Sequence, residues 1–193
     1  AARDRMIAKL ESDNPVLFEK YQLAKFQMEC QQKFVHGSGR FPLTSFGRIN
    51  LMALFAETAR NLISSKGRAG LIVPTSIATD SFTQHFFADL VAKHQLISLF
   101  DFENRKGIFP SVDSRYKFCA LTIGSNSKPV EFAFFTTEFS QLHDPHRRFS
   151  LKSEDIALIN PNTRTLPIFR TRNDAELTKK IYQRVPILHS EEA

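Results

Sequence analysis

An α/β fold is what this 193-residue sequence predicts: parallel strands, an antiparallel last strand, and a long helical segment ahead of them. Three observations predict it. Helical periodicity over Arg48–Ser65 and again over Thr79–Lys93 is followed each time by a short apolar run, Leu71–Pro74 and then Leu96–Phe102. Helix and strand in alternation with short turns imply a crossover unit in a parallel sheet. After Glu103 two apolar runs, Lys117–Ile123 and Val130–Phe135, follow each other with no helix between, which predicts antiparallel pairing between them.

Composition excludes other classes. With 42% hydrophobic and 11% aromatic residues the chain is not dominated by disorder. No apolar run approaches the ~20 residues that cross a bilayer, so no membrane partner is expected. The start lacks a basic-then-apolar signal region. Cys30 and Cys119 have neither disulfide nor zinc-site spacing. Two lone thiols point to a reducing, cytoplasmic setting. The first residue is Ala and already reads as helix, so an excised piece of a longer polypeptide is expected.

Element by element, Arg3–Ser12 reads as helix until Asp13-Asn14-Pro15 interrupts it. Asn14 can cap a second helix with Pro15 at its first position, where the missing N–H is harmless. That helix runs to about Phe34, with Leu17, Tyr21, Ala24 and Met28 on one face. Arg48–Ser65 carries the stripe Leu51, Leu54, Phe55, Thr58, Ala59 and Leu62, which predicts a well-buried helix on a sheet. Leu71-Ile72-Val73-Pro74 is continuously apolar, as in a strand covered on both faces. In the next helix Phe82, Phe86, Phe87, Leu90 and Val91 are expected to face inward. Ser153–Ile159 reads as a short helix. Asn173–Arg184 reads as a longer one, with Asp174 and Glu176 early, Lys179, Lys180 and Arg184 late, Leu177, Ile181 and Val185 buried, and Pro186 as its stop.

No self-contained catalytic set stands out. There is no phosphate-binding Gly loop with Lys-Ser/Thr, no Gly-x-Ser-x-Gly and no His-Glu-x-x-His. His143 and His146 flank Asp144-Pro145, without a third ligand at metal spacing, and read as a solvated turn. Asp101 and Glu103 end a strand two residues apart, the edge where ligand sites gather in open parallel sheets. They read either as a carboxylate pair or as a cap for the following loop. Phe109, in Lys106-Gly107-Ile108-Phe109-Pro110, either stacks on a base or folds back to plug the sheet end.

Charge points towards a polyanion. Lys plus Arg is 26 against 20 Asp plus Glu, a net charge of +6. The excess is clustered: +3 over Asn104–Lys117 and +5 over Pro145–Val185.

The strings Ser38-Gly39-Arg40-Phe41-Pro42-Leu43-Thr44, Gly47-Arg48-Ile49-Asn50-Leu51 and Gly67-Arg68-Ala69-Gly70-Leu71-Ile72-Val73-Pro74 resemble the downstream half of a gamma-order DNA adenine-N6 methyltransferase, of the kind found in restriction–modification and phage-defence systems and similar to type IIG enzymes. Phe100-Asp101-Phe102-Glu103-Asn104, Phe109-Pro110, Ser114-Arg115-Tyr116-Lys117-Phe118 and Asn160-Pro161-Asn162-Thr163-Arg164-Thr165 extend the likeness over most of the chain.

The resemblance implies a partial Rossmann-like methyltransferase sheet, with Leu71–Pro74, Leu96–Phe102 and Lys117–Ile123 as its fifth, sixth and antiparallel seventh strands. Residues 1–140 would be the C-terminal half of the catalytic domain and 141–193 a basic connector toward a target-recognition domain. It implies S-adenosylmethionine as the cofactor of the parent protein, double-stranded DNA and the remainder of the parent polypeptide as partners, and transfer of a methyl group to a flipped-out adenine held in line with the sulfonium. The family's Gly-containing cofactor turn and its Asn/Asp-Pro-Pro-aromatic motif are absent: Val16 follows Asn14-Pro15, and Asn162 follows Asn160-Pro161. No catalytic, cofactor or metal residue is therefore assigned, and no aromatic in Thr122–Ser125 takes the base-sandwiching role. The chain alone is not expected to methylate. The residues to which the resemblance gives DNA or base-pocket roles are Arg105, Lys106, Phe109, Pro110, Arg115, Lys117, Asn162 and Arg164. The alternative is a non-catalytic nucleic-acid-binding or scaffolding module with half of such a sheet. Either way the fifth strand would have a bare edge, which predicts dimerisation or aggregation through it.

Overall fold

Asn14 sets the first corner of the chain. In the computed structural model, which describes residues 2–185, helix α1 (Ala2–Asp13) ends there and α2 (Pro15–Gly37) begins, the Asn14 side chain accepting from the Leu17 N–H at 3.1 Å. The expected cap is in place. The expected seat for α2 is not: neither helix has a buried residue, and Leu17 and Met28 stay exposed.

The remaining elements are α3 (Leu51–Leu62), β1 (Arg68–Pro74), α4 (Ser76–Thr79), α5 (Gln84–Ala92), β2 (Leu96–Glu103), β3 (Lys117–Gly124), β4 (Val130–Thr136), β5 (Phe149–Leu151), α6 (Ser153–Ile159) and α7 (Arg172–Tyr182). They build a mixed α/β fold around one five-stranded sheet, in the order β1-β3-β2-β4-β5. β1 and β2 run the same way, as the alternation of helix and strand predicts, but β3 lies between them and is antiparallel to both. The class is compatible with a partial Rossmann-like sheet.

The expected pairing of β3 with β4 does not form. Both edges of β3 are taken by β1 and β2. The chain leaves β3 beside the start of β2, where Gly124 and Asn126 donate backbone N–H groups to the Gln95 and His94 carbonyls, both at 2.9 Å. It crosses there, so β4 joins the far side of β2 and runs parallel to it. β5, beyond residue 140, pairs with β4, and Leu166, Phe169 and Ala175 share the buried cluster of the sheet.

Burial corrects four sequence expectations. In α3 the residues against the sheet are the short Ala53 and Ala56 with Leu54, while Leu51, Phe55 and Leu62 are 68%, 68% and 79% exposed. Small side chains let the helix approach closely, and two charged residues can be buried beside them because each has partners. Glu57 accepts from Thr44 Oγ1 at 2.6 Å and the Leu43 N–H at 3.2 Å, and Arg60 bonds Asp89 and Gln95. In β1 Ile72 is 67% exposed, so that strand is covered on one face rather than two. In α7 only Ala175 is buried, against the core cluster; Leu177, Ile181 and Val185 face out, and Lys179 pairs with Asp155 of α6 at 2.7 Å. Pro186 lies outside the described residues. Phe86, Phe87, Leu90 and Val91 are inside as expected, whereas Phe82 is half exposed beside Gly47.

Candidate nucleic-acid interface

The end of β2 and the start of β3 meet at one sheet edge, and the loop between them carries most of the predicted contacts. Asn104 organises that loop. It is buried, donates from Nδ2 to the carbonyls of Phe109 (3.0 Å) and Val112 (2.7 Å), and accepts the Phe109 N–H at 2.9 Å. Gly107 closes the turn at φ +68°, a conformation that glycine adopts without steric cost. Asn104→Ala removes all three bonds. We expect a loss of about 2 kcal/mol and faster tryptic cleavage at Arg105 or Lys106, read by limited proteolysis; an unchanged cleavage rate would refute the organising role.

The four cations of this loop region are all ion-paired. Glu103, buried at the strand end, takes Arg105 Nε at 2.5 Å and Lys117 Nζ at 3.1 Å. Burial by itself pushes its carboxyl up, but the hydrogen bonds from Lys117 and Arg105 outweigh that and hold it below the usual carboxylate range. Lys106 reaches Glu138 at 2.7 Å, and Arg115 grips Asp113 with two bonds of 2.9 and 3.0 Å. Arg105, Arg115, Lys117, Ser114 and Glu103 line one shallow cleft. The balance of +3 read along Asn104–Lys117 already includes Asp113; Glu103 and Glu138, from outside the stretch, lower it to +1 in space. Phe109 sets its ring edge-on against Phe118, centroids 4.9 Å apart, and stays partly exposed; Pro110 is exposed beside it.

Asp101 and Glu103 do not form a carboxylate pair. Asp101 is buried and turns the other way, accepting from Thr75 Oγ1 at 2.5 Å and from the Phe135 N–H at 3.1 Å. Its cross-strand neighbour Cys119 has its thiol pushed up to about 12, first by burial and then by the Asp101 charge. That thiol stays protonated and is no nucleophile.

The solved structure of the type IIG restriction endonuclease BpuSI is similar to this chain with a TM-score of 0.42 and 26% identity, over 55% of this chain and 13% of that one. No protein-family model matches, and no curated protein matches. The chain spans about an eighth of the length of that restriction enzyme.

Two predicted contacts lie elsewhere. Arg164, exposed at φ +51°, lines a groove with Ala88 and Val91 of α5 and Ile156 of α6, and Asn162 is exposed in the same turn. The turn is tied to α4 by the Leu166 N–H, which donates to the Ala78 carbonyl at 2.9 Å. They do not share the cleft of Arg105, Arg115 and Lys117. His143 and His146 are exposed, and no cluster of three metal-binding side chains occurs among the described residues.

The described residues do not fit S-adenosylmethionine. Thr75, Asp101 and Asn104, the polar groups at the carboxyl edge, direct their hydrogen bonds inward, and the one orphaned buried side-chain atom among the described residues is Arg148 Nε, a cationic donor unsuited to a sulfonium. Sequence reading missed Asn104 as the organiser of the loop and Phe135, whose φ of +56° marks a bulge. The partners of Asn104 lie within its own loop, five and eight residues on, whereas the role of Phe135 depends on Asp101 of another strand, 34 residues away.

Proposed function

We propose that this chain is part of a site-specific DNA adenine-N6 methyltransferase of a restriction–modification or phage-defence system, carrying the downstream strands of its sheet and the connector toward DNA recognition. The observation that carries this reading is the coincidence of the resembling strings with the strands in order: Gly67–Pro74 covers β1, Phe100–Asn104 closes β2, and Ser114–Phe118 enters the antiparallel β3. Cofactor binding and methyl transfer then belong to other parts of the parent polypeptide. Double-stranded DNA is its substrate, and no activity is expected of this chain alone. The test is N6-methyladenine in duplex DNA incubated with S-adenosylmethionine and the intact polypeptide. Methylated adenine supports the reading; DNA binding without methylation by the intact polypeptide favours the non-catalytic binding module instead.

Association through the sheet edge has a physical basis as well. β1 pairs with β3 on one side and with no described strand on the other, and Ile72, Leu51, Phe55 and Leu62 are exposed around it. In the parent, the rest of the sheet covers this edge. In isolation the chain is expected to dimerise or aggregate through it, and Ile72→Lys with Phe55→Lys is expected to shift it toward monomer in light scattering. A monodisperse monomer of the unsubstituted chain at high concentration would count against an open edge.

A further inference from the structure

We propose that Lys117, Arg147, Arg170 and Arg172 form a phosphate-contact surface for double-stranded DNA, built around the ring of Phe135. The choice of DNA as partner rests on the reading above; the surface itself rests on the geometry of β4. Opposite the single residue Asp101 of β2, β4 carries two residues, Phe134 and Phe135, because Phe100 pairs with Ala133 and Phe102 with Thr136. This bulge puts Phe135 at φ +56°, unfavourable for a side chain of that size. The buried Asp101 holds it there: its carboxylate accepts the Phe135 N–H at 3.1 Å, and its carbonyl accepts the Thr136 hydroxyl.

The consequence is a ring with two cations over it. Lys117 Nζ lies 4.5 Å and Arg170 Cζ 4.6 Å from the Phe135 centroid. Both charges lie within the roughly 10 Å Debye length at 0.1 M salt; Glu103, 3.1 Å from Lys117 Nζ, offsets one of them, and Arg170 is left for an added anion. Arg147 donates to the Phe135 carbonyl at 3.5 Å. Arg172 joins the group through its N–H to the His146 carbonyl at 2.8 Å and two guanidinium bonds to the Arg148 carbonyl at 3.1 and 3.2 Å.

Lys117 keeps Glu103 at 3.1 Å and belongs to both surfaces; charge balance separates the three arginines from the β2–β3 loop. Arg170 and Arg172 have no carboxylate partner among the described residues, and Arg147 has Asp144 only at 3.8 Å. Arg115, by contrast, is gripped by Asp113 at 2.9 Å. With cations over its ring, Phe135 is a platform for charge rather than a stacking face for a base. The cations are spread over a surface from β3 to α7 and do not close into a small-anion pocket, which favours a phosphate backbone.

The experiment is duplex binding by the full chain, with a labelled DNA of arbitrary sequence, as salt is raised from about 50 to 200 mM. Arg170→Gln with Arg172→Gln is expected to weaken binding about tenfold and to lower the log–log salt slope by roughly two. Lys66→Gln, in the turn ahead of β1, is expected to change affinity less than about twofold. Circular-dichroism melts show whether each variant is folded, and Arg170→Glu alone serves if the double variant is not. If the unsubstituted chain binds DNA and the Arg170 and Arg172 variants bind it with the same slope, the surface is wrong while a DNA-binding chain stands. Failure of the unsubstituted chain to bind at low salt also overturns the surface, and the methyltransferase reading is judged separately by N6-methyladenine from the intact polypeptide. Competition by inorganic phosphate at unchanged DNA slope would reassign the cluster to a small anion and overturn the proposal.

Discussion

Asp101→Ala is expected to cost about 3 kcal/mol and to lower the melting temperature by roughly 10 °C. The side chain is 2% exposed, and both of its partners are donors, the Thr75 hydroxyl and the Phe135 N–H. Alanine leaves both without an acceptor where water does not reach, and it frees a bulge that Phe135 does not favour. Asp101→Asn discriminates between charge and geometry. Its one amide oxygen can accept the Phe135 N–H while its NH₂ donates to a rotated Thr75 hydroxyl, so a loss of only about 1 kcal/mol is expected. Denaturant unfolding of the two variants checks this. Equal damage by both would mean that the carboxylate charge, not its two acceptor atoms, stabilises the edge.

The second large effect is expected at Asp89. Arg60 is buried on α3 and bonds Asp89 as well as Gln95 Oε1, the latter at 2.7 Å. Asp89→Ala leaves a desolvated guanidinium with one neutral partner, and a loss of about 3 kcal/mol is expected, the low end for breaking a buried pair because Asp89 is partly exposed. Arg60→Met in the Asp89→Ala background should recover much of that, since the unpaired charge is then gone. The pair also predicts acid behaviour. Burial pushes the Asp89 carboxyl up, but Arg60 and Lys93 outweigh it and hold the carboxyl below its ordinary value of 3.8. The folded state therefore releases this proton more readily than the unfolded state. The stabilisation is complete above the ordinary carboxylate value of about 4 and is lost as pH falls through the lower folded value. Glu103 acts in the same direction. Melting temperatures should fall steeply below about pH 4, and more shallowly in Asp89→Ala. Parallel profiles would show that Asp89 does not contribute.

Much of the local structure was legible in the sequence. β1 to β4 start and end within a few residues of the apolar runs, because a β-strand is announced by side chains that are contiguous along the chain; the three-residue β5 has no such run. Asn14 and Pro15 announced a helix start because a cap is made by neighbours within three residues. The candidate interface was less legible. Arg105, Lys106, Arg115 and Lys117 are recognisable as cations, but the partner of Lys106 is Glu138, 32 positions away. A local charge count includes neither that glutamate nor the strand pairing that sets Glu103 beside Lys117.

Taken by itself, the sequence of this protein determined the class of most segments, the Asn14 cap and the overall excess of positive charge, all short-range properties of the chain. Tertiary structure alone decided which face of α3 is buried, that β3 lies between β1 and β2, and which cations keep their charge unneutralised. The reason is that close approach, strand adjacency and ion pairing are contests between distant residues. Ala53 and Ala56 win the sheet over Leu51 and Phe55 because they let the helix come near, and Glu57 and Arg60 can follow them inside because Thr44 and Asp89 are waiting there.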